Sequence, residues 1–307
     1  MDIPSIFNSL SIDRRNGIPA INLLLTILSL KCGGISRYSH ANDYREDRGL
    51  AILAGLSKLP DQSLLHTFTT TINEEMCQTM IIVHAKRLIK LGLIEGKKVN
   101  VDFHNIPAFG EDKSLEKNWI VTRNRSMPSI RTIIAQDNVT TTPFFVTTDL
   151  KDIKQSEAIF LITDICDELF GNGNTHLIMD SKVTTYPGLD KINKRGFKFT
   201  TLRRRGKNIV KRIRNMPIEN FDTITIENPN RKYKRVKVFD EIIHLDGYEE
   251  EIRQIAMKRH GRKEPAFFIT NDFETHAKEI IRIFFVMRRY IILNRYFDPI
   301  FKTDIKS

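Results

Sequence analysis

Val99-Asn-Val-Asp-Phe-His104 and Leu177-Ile-Met-Asp-Ser-Lys182 share one pattern, a short apolar run that closes on an aspartate: Asp102 in the first, Asp180 in the second. Strand side chains alternate between faces, so two such runs laid side by side set both carboxylates at one edge of a sheet. A divalent metal would bridge them there. A site of this type ordinarily draws on a third carboxylate, so the strands around these two runs and the whereabouts of that acid decide the reading.

From Lys97 the apolar period shortens to that of strands. Val99 to Phe103, Arg131 to Ala135 and Thr142 to Thr147 read as three strands, followed by an amphipathic helix from Ser156 to Phe170 and a fourth strand at His176 to Met179. Tyr186 to Lys194 predicts a turn and short helix, and Phe197 to Leu202 a fifth strand. Three strands, a helix and a further strand is the order of a ribonuclease H-like core, in which acids on the first and fourth strands sit side by side. Order alone carries no chemistry. Residues 206–262 interrupt this α/β core with short Lys- and Arg-rich pieces such as Thr223-Ile-Thr-Ile226 and Val236-Lys-Val-Phe239, and read as a basic β-rich insertion. Ala266 to Asn271 then reads as a strand, and Phe273 to Tyr296 as a long helix packing beside the first strand.

Upstream the chain reads as helical. Ile18 to Leu30 is an apolar helix stopped by Gly33-Gly34, Arg48 to Ser57 is a second, and apolar residues between Ser63 and Leu93 keep a 3.6-residue period. The division expected is an N-terminal helical domain over 1–95 and a catalytic domain over 96–307. With 307 residues, 41% of them hydrophobic and 28% charged, the chain can bury cores of that size. Its net charge of +11 implies an anionic partner, either nucleic acid or an acidic membrane surface. Cys32, Cys77 and Cys166 form neither a disulfide framework nor a zinc spacing. No signal-peptide pattern opens the sequence, and the run from Ile18 is short of the roughly 20 residues that cross a bilayer, so a soluble, cytoplasmic protein is expected.

Two carboxylates sharing magnesium can polarise a phosphate and neutralise a leaving 3′-oxygen. Asp102 and Asp180 suffice for a weak site of this kind; the plainer alternative is that each is a polar strand terminus. His104, Glu111 and Asp112 fall where Pro107 ends the strand and read as surface loop. No nucleophile elbow, glycine-rich phosphate loop or Cys-His pair is present. Between Lys191 and Arg214 stand 11 basic residues and no acid, enough to neutralise several phosphates, or else a solvated basic face.

Three groups of residues carry a resemblance. Asp47-Arg-Gly-Leu-Ala-Ile-Leu-Ala-Gly-Leu-Ser-Lys-Leu-Pro-Asp-Gln-Ser63, Val101-Asp-Phe-His-Asn-Ile-Pro107 with Leu115-Glu-Lys-Asn-Trp119, and Met179-Asp-Ser-Lys-Val-Thr-Thr-Tyr186 with Phe199-Thr-Thr-Leu-Arg-Arg-Arg-Gly206 resemble the DDE transposases of bacterial and archaeal insertion sequences, over about residues 35–296. The resemblance implies a ribonuclease H-like fold with a β-rich insertion before the last helix. It implies Mg2+ or Mn2+ as cofactor, hydrolysis at a transposon end and attack of the released 3′-hydroxyl on target DNA. Asp102 and Asp180 take the places of the first two catalytic, metal-binding acids.

The third acid does not transfer: Arg288-Arg-Tyr-Ile-Ile-Leu-Asn294 matches the family segment with Leu293 where a glutamate belongs, and leucine cannot ligate a metal. Glu279 is no substitute, because 14 residues of helix separate the two by about 21 Å, and Glu274 is further still. The chain also ends at Ser307, soon after this helix, where family members continue. Two expectations follow, an active transposase and a catalytically inactive DNA-binding remnant of a truncated or decayed copy. Arg203, Arg204, Arg205, Lys207, Lys211 and Arg212 are expected to hold DNA. Arg288 and Arg289 either join them or complement the negative end of the last helix. Asp272, in an Asn-Asp pair ahead of that helix, is expected to cap it. The implied partner is double-stranded DNA, transposon ends and target, with no membrane and a nucleoid-associated location. A homodimer is also implied, although no heptad supports one.

Overall fold

The computed structural model describes residues 3–10, 12, 17–35, 37–108, 115–120, 123–148, 150, 153–171, 173–226 and 233–291, the last four of these by backbone only. The first part is helical: α1 (Ile3–Asn8), α2 (Ala20–Cys32), α3 (Arg48–Leu53), α4 (Gln62–Thr69) and α5 (Glu74–Lys90). The apolar run from Ile18 becomes α2, which buries Leu23, Leu24 and Leu30 and closes at Gly33. Asn22, polar within that run, donates from its amide to the carbonyls of Ala54 and Gly55 at the end of α3. The single period from Ser63 to Leu93 is broken once. Thr69, Thr70 and Thr71 turn their hydroxyls onto the carbonyls of His66, Thr67 and Phe68, which closes α4, and Asn73 accepts the Met76 N–H to start α5. Satisfaction of helix ends sets this break, and apolar spacing does not register it.

The remainder is a mixed α/β unit. Its elements are β1 (Lys98–Pro107), β2 (Lys117–Ile120), β3 (Arg125–Asp137), β4 (Pro143–Thr147), α6 (Ile159–Phe170), β5 (His176–Met179), α7 (Tyr186–Lys194), β6 (Lys198–Leu202), α8 (Lys207–Asn215), β7 (Asp222–Thr225), β8 (Arg235–Leu245), β9 (Tyr248–Lys258), β10 (Ala266–Thr270) and α9 (Ala277–Ile291). They form one large mixed sheet in the order β2-β3-β1-β5-β6-β10-β9-β8-β7, with β4 also on β3. β5 lies parallel to both β1 and β6, and the other pairings are antiparallel.

Both faces of the central strands are covered, which is why they read as unbroken apolar runs. On one face α5 and α6 pack over Val99, Val101, Leu177, Met179 and Phe199. On the other, α9 sets Ile280, Ile281 and Phe284 against Ile178 and Phe268, with the Phe268 and Phe284 rings edge to face at 5.2 Å. Leu23, Leu30, Leu65 and Phe68 of the N-terminal helices form a cluster of their own. The start of β1 is fixed by buried Asp137 at the end of β3, which accepts the N–H groups of Glu95 and Gly96, both at 3.0 Å. Gly96 has φ 72°, and a Cβ there would meet the Phe170 ring at 2.3 Å, so no other residue fits.

Residues 206–262 differ from the strand fragments expected. The quoted fragments fall at β7 and in β8, but α8 is helical, and β8 and β9 form a hairpin of two 11-residue strands whose β9 pairs with β10, and β10 with β6, so it continues the central sheet. The first half of β9 is charged and exposed while Arg253 and Gln254 are buried in its second half, so neither half alternates. Those buried polar groups are satisfied across the sheet by Asp240 and Glu241 of β8. No helix among the described residues is long and apolar enough to cross a membrane.

Candidate functional site

The parallel register of β1 and β5 runs from Lys98 opposite His176 to Val101 opposite Met179. Asp102 and Asp180 are the next position on each chain, so they stand level at one edge of the sheet. Val99, Val101, Leu177 and Met179 face α5 and α6, and alternation turns both aspartates to the α9 face. Burial raises the Asp102 carboxyl to about 7; the Phe103 N–H opposes that rise and the Asp180 charge adds to it. Asp180 accepts the Ser181 N–H at 2.7 Å. Neither carboxylate forms an ion pair with a described cation. Two level acids, one kept near neutral by burial and by the other, are a donor set that fits a divalent cation, since the cation would relieve both costs.

Among the described residues no third His, Cys, Asp or Glu completes a group able to hold a metal ion. The direction of α9 explains part of this. Glu279 takes Lys98 Nζ at 3.2 Å, and one turn on, the Ile283 carbonyl takes the Asn138 amide that also bonds Asn100. The helix therefore climbs from the Lys98 end toward the aspartates, and Glu279, also bound to Arg282, stays at the far end. Leu293, Glu111 and Asp112 lie outside the described residues. His104 was expected in a surface loop, but β1 continues to Pro107, which puts it on the strand, two residues beyond Asp102 and on the same face.

The opposite edge of the same strands is a second charged cluster that the sequence reading did not find. Asp272, 2% exposed, was expected to cap α9. Instead it accepts the Glu274 and Thr275 N–H groups and the Thr275 hydroxyl in the turn before the helix, and pairs with Lys198 at 3.3 Å. Burial alone would raise its carboxyl, but the Thr275 and Lys198 contacts outweigh it and hold it at about 2. His176 stands 3.7 Å from Asp272 and shares a 2.8 Å hydrogen bond with Thr200. Burial depresses its imidazole to about 4. Arg253 joins Asp240 to the Asp272 and Thr275 carbonyls. A linear pattern carries no signal for these pairings, whose members lie on β5, β6, β8, β9 and the turn before α9.

The basic stretch is less free than its composition suggests. Lys194, Arg195, Lys198, Arg205, Arg212 and Arg214 each pair with a carboxylate from elsewhere in the chain, and Arg203 bonds Gln254. Lys191 lies over the Phe160 ring. Arg204, Lys207 and Lys211 have no such partner among the described residues and are exposed. Lys207 and Lys211 are one turn apart on α8, whose other side buries Val210 and Ile213. Arg203, Arg205 and Arg212 are thus engaged within the fold, while the side chains of Arg288 and Arg289 on α9 lie outside the described residues.

No family model matches the chain, and no curated protein does. Among solved structures the fold is similar to that of piggyBac transposase, determined as a synaptic complex with hairpin DNA: TM-score 0.50 at 11% identity. The match covers 96% of this chain and 66% of that one. At this identity the likeness establishes a transposase-like fold and nothing finer.

Proposed function

We propose that this chain is a DNA-processing protein of the transposase type, built on a ribonuclease H-like sheet with an N-terminal helical domain over residues 1–95. The observation that carries the reading is the β1–β5 register, which levels Asp102 with Asp180, neither of them ion-paired to a cation among the described residues. In this reading the two carboxylates hold Mg2+ or Mn2+, which when bound supplies the charge that polarises a phosphodiester and stabilises a leaving 3′-oxygen. Asp102 and Asp180 would hold the ion as carboxylates, Asp102 having to lose its proton to do so, and the Ser181 N–H orients the Asp180 carboxylate. Arg204, Lys207 and Lys211 hold the DNA backbone at the same edge without reading sequence. The likeness to a transposase–DNA complex supports the substrate class. A homodimer on paired ends in the cytoplasm belongs to the same reading.

A second reading is an inactive DNA-binding remnant, favoured by the want of a third acid among the described residues and by Leu293 at the family's glutamate position. Conversion of supercoiled plasmid to nicked circles in Mn2+ separates the two. The active reading expects nicking that Asp102→Asn or Asp180→Asn lowers about a hundred-fold or more. The remnant reading expects salt-dependent DNA binding without nicking, and nicking restored by Leu293→Glu. Nicking that survives Asp180→Asn unchanged would sink the two-aspartate mechanism.

A further inference from the structure

Directly after Asp180, at the same edge, a cavity of about 210 Å³ opens between the turn leading into α7 and the ends of β6 and β10. Among the described residues its polar lining is five hydroxyl residues, Ser181, Thr184, Thr185, Tyr186 and Thr201, and one cation, Arg204. Two of the hydroxyls are committed in part: Thr184 donates to the Ser156 carbonyl at 3.0 Å, and Thr185 accepts the Gly188 N–H at 3.3 Å, which leaves the Thr185 proton to donate. The Ser181 and Thr201 hydroxyls have no partner among the described residues, although Thr201 is only 4% exposed. Both hydroxyls are therefore available to donate to an occupant of the cavity.

Arg204 sharpens what that occupant is. It is the middle of three consecutive arginines, and its neighbours are tied to Gln254 and Glu264, whereas Arg204 has no acid among the described residues and lines the cavity. The Ser181, Thr185 and Thr201 hydroxyls and one guanidinium make an acceptor-rich, negatively charged group such as a phosphate the matching ligand. Among the described residues no carboxylate lines the cavity, which favours an anion over a metal cation as its occupant.

We propose that this cavity is a phosphate-binding pocket, with Arg204, Ser181, Thr185 and Thr201 as its donors, and that it seats a DNA backbone phosphate at the strand ends on the α5–α6 face of the sheet, the face opposite the one that carries Asp102 and Asp180. This rests on the DNA-processing reading above. It extends that reading by assigning these residues to one defined phosphate, from which Lys207 and Lys211 continue the backbone track along α8.

The test is duplex-DNA binding by fluorescence anisotropy across a salt series, with the full chain, Arg204→Ala and the isosteric Thr201→Val, each first checked for an unchanged melting temperature. The pocket predicts that Arg204→Ala weakens binding about ten-fold and lowers the salt slope by about one. Thr201→Val should weaken binding about three-fold at an unchanged slope, because it removes a neutral donor. If the full chain binds DNA with a normal salt slope and both variants bind alike, the pocket is wrong and the DNA reading stands. If the full chain shows no salt-dependent binding, the DNA reading fails. Melting in inorganic phosphate against chloride at matched ionic strength then tells a free phosphate ligand from none. Stabilisation lost in Arg204→Ala supports the pocket with a small phosphorylated ligand, and its absence overturns the pocket as well.

Discussion

β5 is four residues long, and its two ends treat buried charge in opposite ways. At the His176 end, Asp272 is enclosed by Lys198, His176 and three donors from its own turn. At the other end, Asp102 and Asp180 face each other with one backbone N–H each. A shortage of cations does not explain the difference. Arg203, Arg204 and Arg205 follow β6 at the aspartate edge, yet Arg203 turns to Gln254 and Arg205 to Glu264. The fold thus neutralises the acid that holds α9 in place and gives the pair at the other end no ion-pairing cation among the described residues. A half-buried pair of acids without a cation is the arrangement that a ligand would relieve.

Removing an acid should therefore have opposite signs at the two ends. Asp272→Ala strands Lys198 and the turn before α9, and should cost about 3–5 kcal/mol in urea unfolding. Asp102→Asn in chelator at pH 8 should instead stabilise, by about 1–2 kcal/mol, because it removes a carboxylate that the fold holds near 7. The sign follows from linkage: a raised folded value favours the protonated fold, so the wild type loses stability as pH rises from about 3.8 to about 7. The gain from Asp102→Asn should accordingly vanish at pH 4. Destabilisation by both variants at pH 8 would erase the contrast between the ends.

The His176 end has its own pH signature. Its imidazole titrates at about 4 in the fold against about 6.5 when unfolded, so the unfolded chain takes up the proton first as pH falls. Stability should be lost between about pH 6.5 and about 4, by up to about 3 kcal/mol, in the window where Asp102 pulls the other way. His176→Gln should flatten that acid limb, and Asp102→Asn should steepen it. An acid limb that His176→Gln leaves unchanged would place the titration elsewhere.

The same contrast explains what was legible in the sequence. β5 and α7 run over the residues expected, His176–Met179 and Tyr186–Lys194, because both carry local signals: an apolar run ending on Asp180, and Thr185 before Tyr186-Pro187 as an N-cap with proline in the first turn. The levelling of Asp102 with Asp180 was legible for the same reason. The Asp272 cluster was not, since its partners come from distant strands. The basic stretch misled in the opposite direction, because the acids that neutralise it, Asp164, Asp167, Glu241 and Glu264 among them, stand outside the stretch. Hairpin β8–β9 was missed because Arg253 and Gln254 hide a buried strand behind polar names.

If the aspartate edge is built for a cation, divalent metal should stabilise the wild type and neither Asp102→Asn nor Asp180→Asn. At ten times its dissociation constant Mn2+ should add about 1.4 kcal/mol, read as a rise in melting temperature. The binding should release protons near pH 6–7 as Asp102 ionises. Equal stabilisation of all three proteins would mean that the metal binds elsewhere.

The smallest effects concern Lys211 and Arg212, neighbours on α8 that composition treats alike. Arg212 forks onto Glu241, whereas Lys211 has no partner among the described residues. Lys211→Ala should leave stability within about 0.5 kcal/mol and lower the salt slope of DNA binding by about one, since a cation with no acid has only phosphate to answer. Arg212→Ala should do the reverse, costing under about 1 kcal/mol of stability with little change in slope, because its charge is already matched within the fold. Equal slope changes in the two variants would show that the Glu241 pair opens on DNA. The basic stretch would then act as a whole, as its composition suggests, and not through Arg204, Lys207 and Lys211, the three without an acid among the described residues.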